Sequence, residues 1–260
     1  MTDATTLEPT PSAPRRGPAA SEARPRVSVV LPCFNEEECI ESVAREVVEA
    51  MTASGEPFEL LLVDDASTDR TLDAMGRVAS AAPQARILRH AIRSGQSAAQ
   101  ATGFRAALGE IVVTLDADGQ NPPHDIPKLL MALAPGIDAV CGVRRTRHDN
   151  FVRKLSSKIG NGFRNWVTGH HVTDAGCAFR AIRRDALNEV PVFNGLHRFL
   201  PTLLTYQGFR VAEVDVGHRP RKAGVSKYGI GNRMFRGIAD CIAMRWWRRR
   251  AVLARRTLGT

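Results

Sequence analysis

The chain has 260 residues, 43% of them hydrophobic, with a formal net charge of +9 and a pI near 9.9; this suits one sizeable core with appendages rather than two full domains. Five scattered cysteines without a C-x-x-C pair argue against a disulfide framework or zinc site. There is no run of about 18 apolar residues to cross a bilayer and no signal-peptide core, so the expectation is a soluble or peripheral protein with reduced thiols in the cytoplasm.

Residues 1–26, rich in Pro, Ala, Thr and Ser, are expected to form a disordered tail. Structure should begin at Val27 with the buried strand VSVVLP, ended by Pro32, with a turn at Cys33, Phe34 and Asn35. Ile40, Val43, Ala44, Val47 and Val48 then follow helical spacing, with Glu36, Glu37 and Glu38 in the first turn, where the helix dipole favours acids. Residues 58–63 (FELLLV) predict a second strand ending in Asp64 and Asp65, and Ser67 or Thr68 can cap the next helix. Alternating strands and helices signal a parallel α/β sheet. One aspartate of that pair can satisfy loop amides while the other contacts a base or ribose.

Residues 85–88 predict a short third strand, leading into RSGQSAAQATGFRAALG, whose small residues open a helix reaching Leu108. Such a start either approaches a phosphate or packs tightly on the sheet. The stretch on which the chain turns is IVVTLDADGQNPP, residues 111–123. Its uncharged apolar run reads as a strand buried on both faces, and the double proline stops it. Asp116, Asp118 and Gln120 then form a hard-oxygen cluster at a strand's carboxyl end. An ordinary Asp/Gly turn fits Asp-x-Asp equally well in isolation. The alternative is a site where Mg²⁺ or Mn²⁺ meets a diphosphate, since these cations need only one or two carboxylates beside phosphate oxygens.

A helix from about His124 to Leu133 and a strand over 138–141 follow, then Gly142 and the cations Arg144, Arg145 and Arg147, whose guanidinium forks suit phosphate. Residues 150–169 set Phe151, Leu155, Ile159, Phe163, Trp166 and Val167 beside Arg153, Lys154, Lys158 and Arg164. That pattern fits an amphipathic helix on a membrane interface or a core-facing helix with a basic outer face. Residues 173–184 read as a turn and strand, with Asp174 either positioning a substrate or orienting an arginine. A late strand over 211–216 feeds HRPRKAGVSKYG, where Arg221, Lys222 and Lys227 would make a cationic flap. Twelve Lys or Arg stand against the single acid Asp240 between Arg219 and Arg256. The net charge thus points to an anionic partner. Trp246 and Trp247 before Arg248, Arg249 and Arg250 resemble an anchor for anionic lipid headgroups, with nucleic-acid binding the competing reading.

The motifs LPCFNEEE (31–38), VDDASTD (63–69), LDADGQNPP (115–123), GVR (142–144) and RKAGVSKYG (221–229) stand in one order. Over about residues 27–228 the chain resembles the inverting family 2 glycosyltransferases, in particular the polyprenyl-phosphate hexose synthases. The resemblance implies a GT-A, Rossmann-like α/β domain over 27–230, with a mostly parallel central sheet flanked by helices; residues 231–260 are read from their own composition as a basic, Trp-containing helical tail. It implies transfer of a hexose from GDP or UDP to a polyprenyl phosphate at the cytoplasmic membrane face. Many bacterial relatives continue into transmembrane helices, and here a basic tail suggests peripheral attachment instead. By motif position, Pro32, Phe34, Glu36 and Asp65 would hold the nucleoside. Asp116, Ala117, Asp118 and Gln120 would bind donor, with Asp116, Asp118 and Gln120 on Mg²⁺ or Mn²⁺. Arg144, Arg221 and Lys227 would bind phosphate groups, and Arg153 and Ser157 the acceptor phosphate. An ionised acceptor phosphate needs no strong general base. Two rivals remain: a soluble family 2 enzyme acting on a hydroxyl acceptor, with Asp174 as its base, and a nucleotide- or nucleic-acid-binding protein without enzymatic activity. The turn after the first strand is PCFNEEE rather than G-x-G-x-x-G, which argues against a dinucleotide dehydrogenase.

Overall fold

Strands Val27–Cys33 (β1), Phe58–Asp64 (β2), Ala85–Arg89 (β3), Ile111–Thr114 (β4), Ala139–Val143 (β5), Arg180–Arg183 (β6) and Val211–Asp215 (β7) form one sheet in the order β3-β2-β1-β4-β6-β5-β7. The structure, a computed structural model, describes residues 24–144, 151–220 and 230–251, the side chains of 151–159 and 230–236 excepted. The disordered tail expected over 1–26 therefore lies almost wholly outside the described residues.

Parallel pairs join β1 to β2 and β4, β2 to β3, and β5 to β7. The helices Ile40–Ser54 (α1), Thr71–Ala81 (α2) and Gln96–Ala106 (α3) connect the first four strands, Ile126–Ala132 (α4) lies between β4 and β5, and the short Arg184–Leu187 (α6) follows β6. Because the chain leaves β1 toward β2 and β3 and returns to place β4 on the other side, the strand order reverses between β1 and β4. The crevice beyond the carboxyl ends of those two strands is where such sheets bind ligands. Antiparallel β6, inserted between β4 and β5, brings its first residue, Arg180, opposite Thr114 and Cys141, close to that same edge.

All seven residues of β1 are buried, as expected of a strand covered on both faces. Alternation divides them between two cores. Val29 and Leu31 join Ile40, Val43, Leu60, Leu62, Met75 and Val113 on one face, while Val30 joins Leu61, Val63, Val112 and Ile182 on the other. Each such side chain contributes about 1.5–3 kcal/mol on burial. The second core is roofed by Leu196–Tyr206 (α7), Phe151–Thr168 (α5) and Ile230–Arg250 (α8). The boundary expected at 230/231 falls at the start of α8, whose Cys241 and Met244 are 4% and 3% exposed within this core.

Three local expectations are corrected. β1 runs through Pro32 to Cys33 rather than stopping at it. Val30 accepts from Leu115 on the β4 side and Cys33 from Asp65 on the β2 side. Alternation puts the missing N–H of Pro32 toward β4, past that strand's last paired residue, so no ladder bond is lost. Glu36, Glu37 and Glu38 precede α1, which starts at Ile40. Neither Ser67 nor Thr68 caps α2. Both bond Asn35, and Asp69 Oδ1 accepts the Thr71 N–H at 3.0 Å instead.

Candidate active site

The loops after β1 and β2 are knitted together by hydrogen bonds between them. The Asn35 N–H donates to Ser67 Oγ at 3.0 Å and its Oδ1 accepts the Thr68 N–H at 2.8 Å. Asn35 (φ +53°) and Ala66 (φ +56°) are the non-glycine residues with left-handed backbone among those described, one in each loop. A conformation that L-residues rarely adopt is held there by the surrounding bonds. The Arg93 guanidinium lies 4.0 Å from the centroid of the Phe34 ring.

Both aspartates at the end of β2, Asp64 within it and Asp65 just beyond, hold loop amides. Asp64 Oδ1 accepts the Ser67 N–H at 3.1 Å. Asp65, 3% exposed, accepts the Ser94 N–H on Oδ1 and the Gly95 N–H on Oδ2, each at 2.7 Å, with His90 Nδ1 2.8 Å from Oδ1. Asp65 thus shapes the turn entering α3. Its expected nucleoside contact would have to share oxygens already accepting these bonds.

Asp116 lies just beyond the end of β4. Burial, then the charge of Asp118, then Glu36, push its carboxyl up to about 6 against the lowering pull of Arg144 and Arg180. Glu36, Asp64 and Asp116 also add to burial in raising the Cys33 thiol, which places these acids around one point at the end of β1. Asp118 Oδ1 accepts the Gln120 N–H at 3.1 Å, closing the turn at Gly119 (φ +74°). Ala117, 3% exposed, packs into the first core, so it spaces the two aspartates and offers no side chain to the crevice. The Gln120 carbonyl accepts the Arg219 N–H at 2.8 Å, and Arg219 Nη1 bonds Glu46 at 2.7 Å. The segment after β7 is therefore strapped to the loop carrying Asp118.

The positive side is built from the far half of the sheet. Arg144 follows β5, and Asp174 receives its Nε at 2.7 Å and its Nη2 at 3.0 Å. Burial works to lower the Arg144 pKa, but the hydrogen bonds and charge of Asp174 outweigh it and raise it. Of the two roles open to Asp174, orienting an arginine is the one the geometry displays. Arg180, 1% exposed, donates from Nη1 to the His197 carbonyl at 2.8 Å and is a second cation beside Asp116.

The parallel strands therefore carry Pro32, Phe34, Glu36, Asp65, Asp116, Asp118, Gln120 and Arg144 to one sheet edge. Arg145, Arg147, Arg221, Lys222 and Lys227 lie outside the described residues, and Arg153 and Ser157 fall on α5 where side chains are not described. Sequence reasoning missed Arg180, although a lone cation inside the buried run GCAFRAI signals a charge in the core. It also missed Gln96, whose Nε2 donates to Asp116 Oδ1 at 2.8 Å. The expected Trp pair divides. Trp246 is 63% exposed, whereas Trp247 packs on the second core and stacks on Tyr206 with centroids 6.3 Å apart.

The donor set fits a hard divalent cation. The charge of Asp118 adds to burial in raising the Asp116 carboxyl, a repulsion that a bound cation would relieve. Among the described residues no group of three or more His, Cys, Asp or Glu is arranged to hold a metal. Asp116 and Asp118 would consequently need diphosphate oxygens to complete a shell.

Residues 28–191 match the family described as Glycosyl transferase family 2. An undecaprenyl-phosphate 4-deoxy-4-formamido-L-arabinose transferase of Pectobacterium carotovorum is 39% identical over 206 residues, 78% of this chain and 63% of that protein. The chain thus spans less than two thirds of that relative's length. A dodecaprenyl-phosphate galacturonate synthase of Rhizobium johnstonii is 36% identical over 228 residues, 86% of this chain and 67% of that one. Among solved structures, glucosyl-3-phosphoglycerate synthase from Mycobacterium tuberculosis with Mg²⁺ and UDP shares the fold with a TM-score of 0.66 at 24% identity, covering 86% of this chain and 79% of that chain. A mannosyltransferase from Pyrobaculum calidifontis with GDP-Man and Mn²⁺ has a TM-score of 0.61 at 26% identity, covering 90% of this chain and 66% of that chain. With a sheet that reverses between β1 and β4, an Asp-x-Asp turn at the reversal and a family match over residues 28–191, the chain belongs to glycosyl transferase family 2.

Proposed function

We propose that this protein transfers a hexose, with inversion, from a GDP- or UDP-sugar to a polyprenyl phosphate at the cytoplasmic membrane face. The observation that carries this reading is the opposition of charges at one sheet edge. Asp116 and Asp118 follow β4, and Arg144, held by Asp174, follows β5 with its charge acting on Asp116. Mg²⁺ or Mn²⁺, held by Asp116 and Asp118 with Gln120 alongside, would supply positive charge to a leaving diphosphate. Arg144 offers a fixed guanidinium to a second phosphate group, and Arg180 supplies buried positive potential beneath the site. Bringing two anions together requires such cations, and an ionised acceptor needs no proton removed. Relatives whose names specify undecaprenyl-phosphate and dodecaprenyl-phosphate support the acceptor class.

The hydroxyl-acceptor alternative needs a carboxylate base. Its nominee, Asp174, meets Arg144 with both oxygens, so the geometry favours the phosphate acceptor.

A peripheral site on an anionic bilayer completes the reading. No helix among the described residues is long and apolar enough to cross a membrane. Phe163 and Trp166 on α5 are 39% and 75% exposed, and Ile242 and Trp246 on α8 are 58% and 63% exposed. The two helices meet where Arg245 Nη1 bonds the Val167 carbonyl at 3.3 Å. Exposed aromatics beside Arg245, Arg249 and Arg250 suit lipid headgroups better than nucleic acid. The test is an incubation of purified protein with Mn²⁺ or Mg²⁺, labelled GDP- and UDP-hexoses and a short polyprenyl phosphate. Label should enter the organic phase only with metal and lipid present; transfer to water-soluble acceptors alone would refute the lipid assignment.

A further inference from the structure

The first turn of α3 is fixed on both sides of Gln96. Asp65 accepts the N–H groups of Ser94 and Gly95 at 2.7 Å each, setting the turn whose last residue, Gly95, has φ +92°. Ser97, 4% exposed, lies 2.9 Å from His197 Nδ1 and accepts the Gly195 N–H at 3.1 Å, tying the helix start to α7. Between these anchors Gln96 Nε2 donates to Asp116 Oδ1 at 2.8 Å.

Rotation of an aspartate carboxylate about its last torsion is soft. Beside Asp118 and Glu36, which both repel it, an unanchored Asp116 would turn away from its neighbours and leave no common focus for a cation. An N–H donated to one oxygen removes that freedom. The donor's neutrality matters as much as its position, because a lysine or arginine here would neutralise Asp116 and compete with a divalent ion.

We propose that Gln96 is a positioning residue: it holds one oxygen of Asp116 so that the other is presented, with Asp118, to the cation that carries the donor diphosphate. This rests on the transferase reading, and adds to it a residue outside the Asp-x-Asp motif that determines how well the motif binds metal. Partners of this kind, one bond removed from the ligand, typically change metal affinity 10–100-fold when lost.

The test is calorimetric titration of Mn²⁺ into the full chain saturated with UDP or GDP, whichever the wild type binds more tightly, together with titration of that nucleotide in EDTA. Gln96→Met keeps the side-chain length without the donor, and Gln96→Ala removes the amide without adding volume. Both should weaken Mn²⁺ binding 10–100-fold, leave metal-free nucleotide affinity within twofold, and keep the thermal midpoint of the wild type. Wild-type Mn²⁺ affinity in the variants overturns the proposal, as does an equal loss of metal-free nucleotide binding, which would make Gln96 a direct nucleotide contact. Absence of Mn²⁺-dependent nucleotide binding in the wild type overturns the transferase reading itself, a result that no comparison of variants can mimic.

Discussion

Asp174 grips Arg144 with both carboxylate oxygens, at 2.7 and 3.0 Å, and the two side chains are only 7% and 11% exposed. A bidentate pair fixes the plane of the guanidinium as well as its place, which a lysine cannot reproduce. The chain thereby joins the end of β5 to the turn before β6 and sets an oriented cation across from Asp116.

Removing one partner strands the other charge in a poorly hydrated position. Asp174→Ala should lower unfolding free energy by about 3–5 kcal/mol in urea titrations, the range for breaking a buried pair. Arg144→Lys should retain most of the stability yet lose at least about tenfold in kcat/KM, because one ammonium cannot bond Asp174 in the same plane and face a phosphate. Wild-type kcat/KM in Arg144→Lys would show the pair to be purely structural.

The raised carboxyl of Asp116 has a consequence for stability without metal. Its folded-state pKa of about 6 exceeds the ordinary 3.8, so the folded protein takes up this proton more readily than the unfolded chain. The contribution to stability is fully present below about pH 4 and is lost as pH rises through about 6. In EDTA at pH 7.5, Asp116→Asn should therefore be more stable than wild type by about 1–3 kcal/mol, shrinking toward zero near pH 4. Thermal midpoints across that range decide it: a variant less stable at pH 7.5 would mean that Asp116 is not strained by its neighbours.

The parallel half of the fold was legible because its chemistry is local. The runs VSVV, FELLLV and IVVTL each announce a strand buried on both faces, and each ends in polar or acidic residues that the parallel register brings to one edge. What escaped depends on distant partners. Gln96 and Asp116 are twenty residues apart and meet only because α3 recrosses the sheet. Arg180 is one residue of a predicted turn and strand until β6 is seen to pair antiparallel with both β4 and β5, which brings it to the site. Ser67 and Thr68 look like caps, but Asn35 from the neighbouring loop takes them first. The phase of α8 about its own axis, which separates Trp246 from Trp247, is set by the core it packs on and not by the adjacency of two tryptophans.

At the opposite edge of the sheet, Glu59 provides a control that should leave the site alone. This 5% exposed carboxylate accepts from Ser28 Oγ at 2.7 Å, the Leu108 N–H at 2.7 Å and Arg86 Nη1 at 2.6 Å. Glu59→Ala would leave the Leu108 amide and the buried Ser28 hydroxyl without this acceptor, each worth about 1–3 kcal/mol. Chemical denaturation should show a loss of several kcal/mol in total, while Mn²⁺ and nucleotide affinities of the remaining folded protein stay at wild-type values. A change in those affinities would mean that the two edges of the sheet are coupled.

Adjacent tryptophans with different surroundings should fail in different ways. Trp247 packs on the second core and stacks on Tyr206, so Trp247→Ala should destabilise the fold by about 3 kcal/mol or more. Trp246 at 63% and Trp166 at 75% exposure make little core contact, and Trp246→Ser with Trp166→Ser should leave the thermal midpoint nearly unchanged. If these residues enter a bilayer interface, the double variant should lose co-flotation with vesicles containing anionic phosphatidylglycerol, and raising the salt should weaken wild-type binding through Arg245, Arg249 and Arg250. The separation of the two outcomes is the point of the comparison: vesicle binding lost only when Trp247 is removed, in step with stability, would mean that the exposed face of α5 and α8 meets no membrane and that the aromatic residues on it have another partner.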